Sequence, residues 1–167
     1  MRWSRVLPVA ALAVLAQTTL MRLLVLGDAR PDLIAAMLAT FALGATPAEG
    51  FGIGCFLGLG RDVWSDEPFG LSTGLFAVLG WVVASRRPSA YAERFLSRAL
   101  FGFLCSAAAS GASLLALLAH GRPPAPALVV RVTLLTALAT AVLAAAAGAL
   151  VWRWARGFGL RRRSGFE

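Results

Sequence analysis

The chain has 167 residues, the length of one ordinary domain, and 59% of them are hydrophobic while 14% are charged. With a mean hydropathy of +0.76, this composition excludes a water-soluble globular protein. The formal charge of +8 comes from 16 arginines, and the sequence contains no lysine. The arginines flank long uncharged runs and form no continuous basic stripe, so they indicate membrane topology and argue against nucleic-acid binding.

Four apolar runs are long enough, or nearly long enough, to cross a bilayer. The first, residues 6–26, follows two arginines and exceeds the core of a signal peptide, so it predicts a retained helix; a cleaved signal peptide is the alternative. A bilayer core needs about 20 helical residues. Residues 99–119 and 127–152 therefore predict complete spans, and residues 69–85 predict a span at the lower limit.

Two shorter apolar segments, residues 32–45 and 49–62, lie between these runs. Each is too short to cross a core of ~30 Å in the ordinary way. They form either two thin, tilted spans or a re-entrant pair shielded by other helices. Both arrangements return the chain to the same face. The sequence thus predicts an all-α integral membrane protein, a single polytopic domain over residues 1–167, with about six transmembrane helices in a compact bundle.

The distribution of arginine predicts the orientation. Eleven arginines fall on one side if both termini and the loop after residue 85 share that side, and the other five are matched by five acidic residues. The positive-inside rule then places both termini in the cytoplasm. Residues 89–98 predict a short amphipathic helix on this surface, with an ordinary polar loop as the alternative. Residues 153–167, a basic tail that begins with interleaved tryptophans, predict contact with phospholipid.

Few residues suggest chemistry. The one histidine, His120, has no second ligand at metal-binding spacing, so neither a metal nor another cofactor is expected. Cys55 and Cys105 lie in apolar helices and are expected to pack as small hydrophobic groups. Ser65 lies near Asp62, but no base or oxyanion motif accompanies it. The sequence predicts no enzymatic activity.

One group of residues stands out at the end of the short segments. Gly54, Gly58 and Asp62 recur every four residues and share a helix face, on which the glycines allow another backbone to approach closely. A charged pair at Arg61 and Asp62 is costly in a membrane unless it is satisfied, which makes it a candidate functional site. The structural alternative is that Asp62 accepts backbone N–H groups, or pairs with Arg61, at a sharp corner. The turn after it contains Ser65, Pro68 and Gly70.

Other small residues also recur every four positions and are expected to seat neighbouring helices or a partner protein. The sequence does not indicate which of these stripes faces inward. They are Gly70 with Gly74, Gly102 with Ser106 and Ser110, and Thr140 with Ala144 and Gly148.

Taken in order, these residues resemble the rod shape-determining protein MreD family. The resemblance is densest from residue 30 to residue 85, and elsewhere it rests on length, topology and helix count. Asp66 and Glu67 depart from it, because a small residue often follows the Ser65 position in that family. The motifs that carry it are Arg30-Pro31-Asp32-Leu33, then Gly54-x-x-x-Gly58-x-x-x-Asp62-x-x-Ser65, then Pro68-Phe69-Gly70-Leu71.

The resemblance implies a non-enzymatic scaffold in the bacterial inner membrane that supports lateral peptidoglycan synthesis and cell shape. Its implied partners are MreC, the actin-like MreB filaments, and the RodA glycosyltransferase with its class B penicillin-binding transpeptidase. The implied fold is similar to the substrate-binding component of energy-coupling-factor transporters. We expect the corner and the Gly54/Gly58 face to hold either the fold or the membrane helix of MreC. The candidate residues are Pro31, Asp32, Gly54, Gly58, Arg61, Asp62, Ser65, Pro68 and Gly70.

A substrate-binding component of a vitamin or micronutrient transporter is the alternative function. Such a protein needs a pocket lined by polar side chains near the outer loops. The sequence offers few candidates for that lining: Gln17, Thr18, Thr19, Asp62 and Arg131.

Overall fold

The computed structural model describes residues 3–19, 31–65, 68–86, 95–119, 121 and 126–153. The all-α prediction is confirmed for this part of the chain, where every regular element is an α-helix. The six helices are α1 (Trp3–Thr19), α2 (Leu33–Ala42), α3 (Pro47–Asp62), α4 (Leu71–Ser85), α5 (Phe95–Ala119) and α6 (Pro126–Arg153).

The last two helices have the dimensions of membrane spans. At 1.5 Å per residue, α5 is about 38 Å long and α6 about 42 Å, more than the ~30 Å core of a bilayer. Their apolar cores, Leu96–Ala119 and Ala127–Leu150, are long and apolar enough to cross it. Large side chains such as Leu115 and Val142 are exposed on them. These features support a membrane location for the chain.

Helix α2 lies at the centre of the bundle. It contacts each of the other five helices, and the side chains of Leu38 and Phe41 are fully buried. Its 10 residues extend only about 15 Å, which is half of a bilayer core. The connection to α3 is also partly enclosed, since Leu43 and Ala45 are buried. Irregular backbone at membrane depth is stable when protein surrounds it in this way.

Helices α3 and α4 pack with their backbones in contact. A Cβ atom at Gly54 would collide with the backbone of Phe76, and one at Gly58 would lie 2.5 Å from the Cα atom of Thr73. The close approach predicted for the Gly54/Gly58 face is therefore confirmed. Because α4 already occupies this face, the face serves the fold.

Helices α5 and α6 pack through a second set of small residues. A Cβ at Gly102 would collide with that of Ala144, and Thr140 is fully buried. The Arg98 side chain lies against Gly148, where any Cβ would meet it. These contacts confirm the predicted helix-packing role of the Gly102 and Thr140 stripes.

One sequence-based expectation differs from the structure. Arg98 was predicted on the polar face of an interfacial helix, but it belongs to the first turn of α5 and is 4% exposed. The open surface of Gly148 makes room for it against α6. Gly74, which the sequence predicts to seat either a helix of the bundle or a partner protein, has open space beside it within the described structure. Residues 89–94 and the tail 154–167 lie outside the described residues.

Candidate functional site

Most of the candidate residues gather where α1 and α3 finish and α2 and α4 begin, level with Thr140 in the middle of α6. We call this the corner end. Hydrogen bonds tie α1 to α2 and α3 to α4 across it, and an ion pair joins α3 to α2.

The Asp62 carboxylate caps the neighbouring helix. Helix α4 begins after Gly70, which adopts a left-handed conformation (φ 96°) and has no side chain to cap the helix. Asp62 accepts hydrogen bonds from the backbone N–H groups of Gly70, Ser72 and Thr73, each at 3.0 Å, and from the Thr73 hydroxyl at 2.5 Å. It thus supplies the bonds and the negative charge that a residue at the helix start usually provides. This is the structural role predicted for Asp62.

Arg61 turns away from its neighbour in sequence and pairs with Asp32. Its Nη1 atom donates to Oδ2 of Asp32, and its guanidinium lies 5.6 Å from the centre of the Phe76 ring, within the range of a cation–π interaction. The alternative in which Arg61 satisfies Asp62 is wrong, because α4 takes both oxygens of that carboxylate. The ion pair instead links α3 to the start of α2.

Asp32 is held in place by several further bonds. It caps α2 by accepting from the backbone N–H of Ala35 at 2.9 Å, and its own N–H donates to the Thr140 hydroxyl on α6 at 2.9 Å. The Gln17 side chain bonds to the two residues that flank Asp32. It donates to the carbonyl of Pro31 at 3.2 Å and accepts from the N–H of Leu33 at 2.7 Å. The start of α2 is therefore fixed by α1, α3 and α6.

A cavity of about 380 Å³ opens beside this network. The Ser65 hydroxyl, which is buried and has no hydrogen-bond partner among the described residues, belongs to its wall. Trp64, 62% exposed, lies at the same wall. The other polar side chains that line it are Gln17, Thr18, Asp32, Arg61, Ser110 and Thr136.

A second cavity of about 290 Å³ lies between α5 and α6. Most of its wall is apolar and is built from side chains such as Leu117, Leu128 and Val132. Arg61 and Ser110 line both cavities, so these two residues form the wall that the cavities share.

The sequence candidates thus separate into groups with different positions. Gly54 and Gly58 lie in the contact between α3 and α4, and Ser65 lies in the polar cavity. Pro68 and Gly70 are exposed in the turn. Two of the residues proposed for a transporter pocket, Gln17 and Thr18, line the cavity. The other three do not: the Thr19 hydroxyl donates to the carbonyl of Leu15, and Asp62 caps α4. Arg131 is exposed. Asp66, Glu67 and His120 lie outside the described residues.

Few described residues belong to the types that carry catalysis or bind metals. Within the described ranges, no three His, Cys, Asp or Glu side chains cluster in a way that could hold a metal ion. Both carboxylate oxygens of Asp62 accept hydrogen bonds from the start of α4. Cys105 is buried and Cys55 is half-buried, and both are free thiols.

The sequence interpretation missed residues that complete the network from distant parts of the chain. Thr73 donates the shortest hydrogen bond to Asp62, and the Phe76 ring lies under the guanidinium of Arg61. The sequence held a weak signal for the bonds between Asp62 and the start of α4. Gly70 precedes that helix, and a glycine there has no side chain to cap it, so a capping group must come from elsewhere. Nothing in the sequence pointed to Phe76, which resembles any other apolar residue of α4.

Comparison with protein-family models, with curated proteins and with solved structures found no match to this chain. The resemblance to MreD therefore rests on the motifs of the sequence alone.

Proposed function

We propose that the protein is an MreD-like scaffold of the bacterial inner membrane that binds the membrane helix of MreC and supports lateral cell-wall synthesis. The observation that carries the proposal is the open face of α4. This helix is fixed to the bundle on one side, through the α3 glycines and Asp62, and no described residue covers Gly74 on the other.

The open face has the composition of a helix-docking surface. Gly74, Val78 and Trp81 follow one another at helical spacing. Val78 is 55% exposed and Trp81 51% exposed, while the space beside Gly74 is open. Small residues let transmembrane helices approach closely, and large apolar side chains then pack around the contact. A single-span partner fits this surface better than the Gly54/Gly58 face, which α4 fills.

The corner has an indirect role in this proposal. Asp62 fixes the first turn of α4, and the Arg61–Asp32 pair fixes α3 to the buried α2. Together these bonds hold the docking face rigid, so binding does not have to order it.

In the proposed arrangement the chain is multi-pass and both termini lie in the cytoplasm. The arginine count supports this orientation. MreC is the direct partner, and RodA with its transpeptidase and the MreB filaments belong to the same assembly.

The test is co-purification of MreC with tagged chains carrying Gly74→Leu or Gly111→Leu. Both glycines face open space, but only Gly74 lies on the α4 face. We expect Gly74→Leu to lower the recovery of MreC about tenfold, equivalent to about 1.4 kcal/mol of binding free energy, and Gly111→Leu to leave it unchanged. Equal recovery with both variants would contradict docking on α4, and absence of MreC from the wild-type preparation would contradict the scaffold.

The polar cavity favours one other function, that of a substrate-binding transporter component. Gln17 and Thr18, two of the residues that this alternative needs, line it. Its volume falls within the range of small-molecule sites, about 300–1,000 Å³. Recovery of paired ATPases with a membrane coupling subunit, in place of MreC, would favour the transporter.

A further inference from the structure

The helices on the two sides of the bundle differ in length. Helix α4 has 15 residues and is about 22 Å long. The uncharged part of α3, residues 50–60 between Glu49 and Arg61, covers about 17 Å. The apolar cores of α5 and α6 have 24 residues each and cover about 36 Å. A bilayer core of ~30 Å is therefore thicker than the α3–α4 side and thinner than the α5–α6 side.

The difference in length falls mainly at the corner end. Helix α2 gives a common level for α4 and α6, because the Thr40 hydroxyl donates to the carbonyl of Ala144, and Leu38 lies beside Gly80. From this level α4 extends about 14 Å to its first residue, whereas α6 extends about 27 Å to its first residue. In the other direction they extend about 8 Å and about 14 Å. The corner therefore lies far below the end of the α5–α6 pair.

Apolar side chains are exposed along the short side as well. Phe51 is 48% exposed and Leu59 44% exposed near opposite ends of the uncharged part of α3. A flat core that covers the full apolar length of α5 and α6 would also cover the corner and its ion pair, and charged groups in hydrocarbon are costly. Arg61 does not relieve this mismatch by extending towards the surface, because it pairs with Asp32. Thinning of the bilayer relieves it at a modest cost per ångström.

The exposed Trp64 marks the level at which hydrocarbon ends on the short side. Its side chain is 62% exposed at the wall of the polar cavity, and tryptophan is enriched where the hydrocarbon core meets the headgroups. Polar side chains such as Gln17 and Ser65 line the same cavity and favour contact with water. This boundary therefore lies at the corner, although Ser110 and Thr136 of the same wall belong to the interior of the long spans.

We propose that the protein thins the bilayer beside α3 and α4, so that the headgroups and water of one leaflet reach the polar cavity, while the bilayer keeps its full thickness along α5 and α6. The partner of the α3–α4 surface is thus a lipid bilayer of reduced thickness. This property belongs to the chain itself and does not depend on binding of MreC.

Two cysteine substitutions at the same height test the thinning. Val63, 66% exposed, follows the end of α3, and Leu138, 56% exposed, lies on α6 two residues before Thr140, which bonds to Asp32 at the corner. Each full chain is reconstituted in dioleoyl phosphatidylcholine with a membrane-impermeant maleimide on both sides of the bilayer. We expect Val63→Cys to be labelled about tenfold faster than Leu138→Cys, because water reaches the corner but not the exposed face of α6 at that height.

The other outcomes of this experiment overturn the proposal. Fast labelling of both positions would mean that α5 and α6 project from a flat membrane into water. Slow labelling of both would mean that hydrocarbon, or a second copy of the chain, covers the corner. Ala48→Cys, at an exposed position at the other end of α3, shows that the reagent reacts, and the parent chain gives the background from Cys55 and Cys105.

A change of lipid tests whether the membrane deforms. Dierucoyl phosphatidylcholine forms a thicker core than dioleoyl phosphatidylcholine, so the bilayer has to thin further before water reaches Val63. We expect labelling of Val63→Cys to be about threefold slower in the thicker bilayer. Equal rates in the two lipids would overturn local thinning.

Discussion

Arg61 links α3 to both α2 and α4 at the corner. It pairs with Asp32, covers the Phe76 ring and contributes to both cavities. Asp32 has a 10% exposed side chain, so its charge depends on this partner for compensation. A buried carboxylate without its partner is costly, because neither water nor a second charge replaces the lost interaction.

We therefore predict that Arg61→Ala destabilises the protein by about 3 kcal/mol. Arg131→Ala, at an exposed arginine of α6, is the matched control and should change the stability little. Thermal unfolding in detergent measures both. Adding Asp32→Asn to Arg61→Ala should restore part of the loss, and failure of this rescue would argue against the ion pair as the cause.

Asp62 leads to a separate prediction, which concerns the start of α4. Asp62→Ala removes the acceptor of four hydrogen bonds and should cost about 2 kcal/mol. Amide hydrogen exchange at Ser72 and Thr73 should accelerate, whereas exchange in the middle of α2 changes less. Ser65→Ala is the control, because it removes a hydroxyl without a described partner. Unchanged exchange at Ser72 in the Asp62 variant would refute the cap.

At this scale the sequence predicted one of the two carboxylate roles. The four-residue spacing of Gly54, Gly58 and Asp62 places Asp62 at the end of a packed face, where a cap is needed. The partner of Arg61 lies 29 residues away. Its identity depends on how α2 sits beside α3, which no local pattern encodes.

At the scale of the helices, the same four-residue spacing has opposite outcomes. Gly54 and Gly58 face a backbone, whereas Gly74 faces open space. Spacing shows that small residues share a face but does not show what the face meets. The exposed position predicted for Arg98 is wrong for a similar reason, since a polar residue in a first helical turn can be buried when a glycine opposite gives it room.

This difference between the glycines predicts a difference in tolerance. Gly54→Leu forces α3 and α4 apart, because the new side chain would meet backbone atoms that cannot rotate away. We expect a loss of about 3 kcal/mol or more, seen as a lower melting temperature or failure to accumulate in the membrane. Gly74→Leu should fold like the wild type. Equal melting temperatures for the two variants would contradict the packing of α3 on α4.

At the scale of the whole molecule, the sequence predicted the six apolar segments but not their arrangement. A run such as residues 33–42 is equally apolar whether lipid or protein surrounds it. Only its short length hinted at the interior, because 10 residues do not reach across a bilayer. The position of α2 is a property of the assembled bundle.

Burial of α2 predicts a contrast between two leucines. Leu38 is fully buried, and Leu38→Ala should cost about 2–5 kcal/mol through the cavity that it creates. Leu115 is 68% exposed on α5, and Leu115→Ala should cost far less. Thermal unfolding of both variants in one detergent measures the contrast, and similar losses would place α2 at the lipid surface instead.

The enclosed position of α2 also bears on how the protein is made. The Thr140 hydroxyl that accepts from Asp32 lies 108 residues further along the chain. A ribosome adding about 5–20 residues per second needs roughly 5 to 20 seconds to cover that interval. During this time the central helix has left the ribosome but lacks α5 and α6. The insertion machinery or the earlier helices must therefore hold α2 until α6 has been made. Only then can the bundle enclose α2.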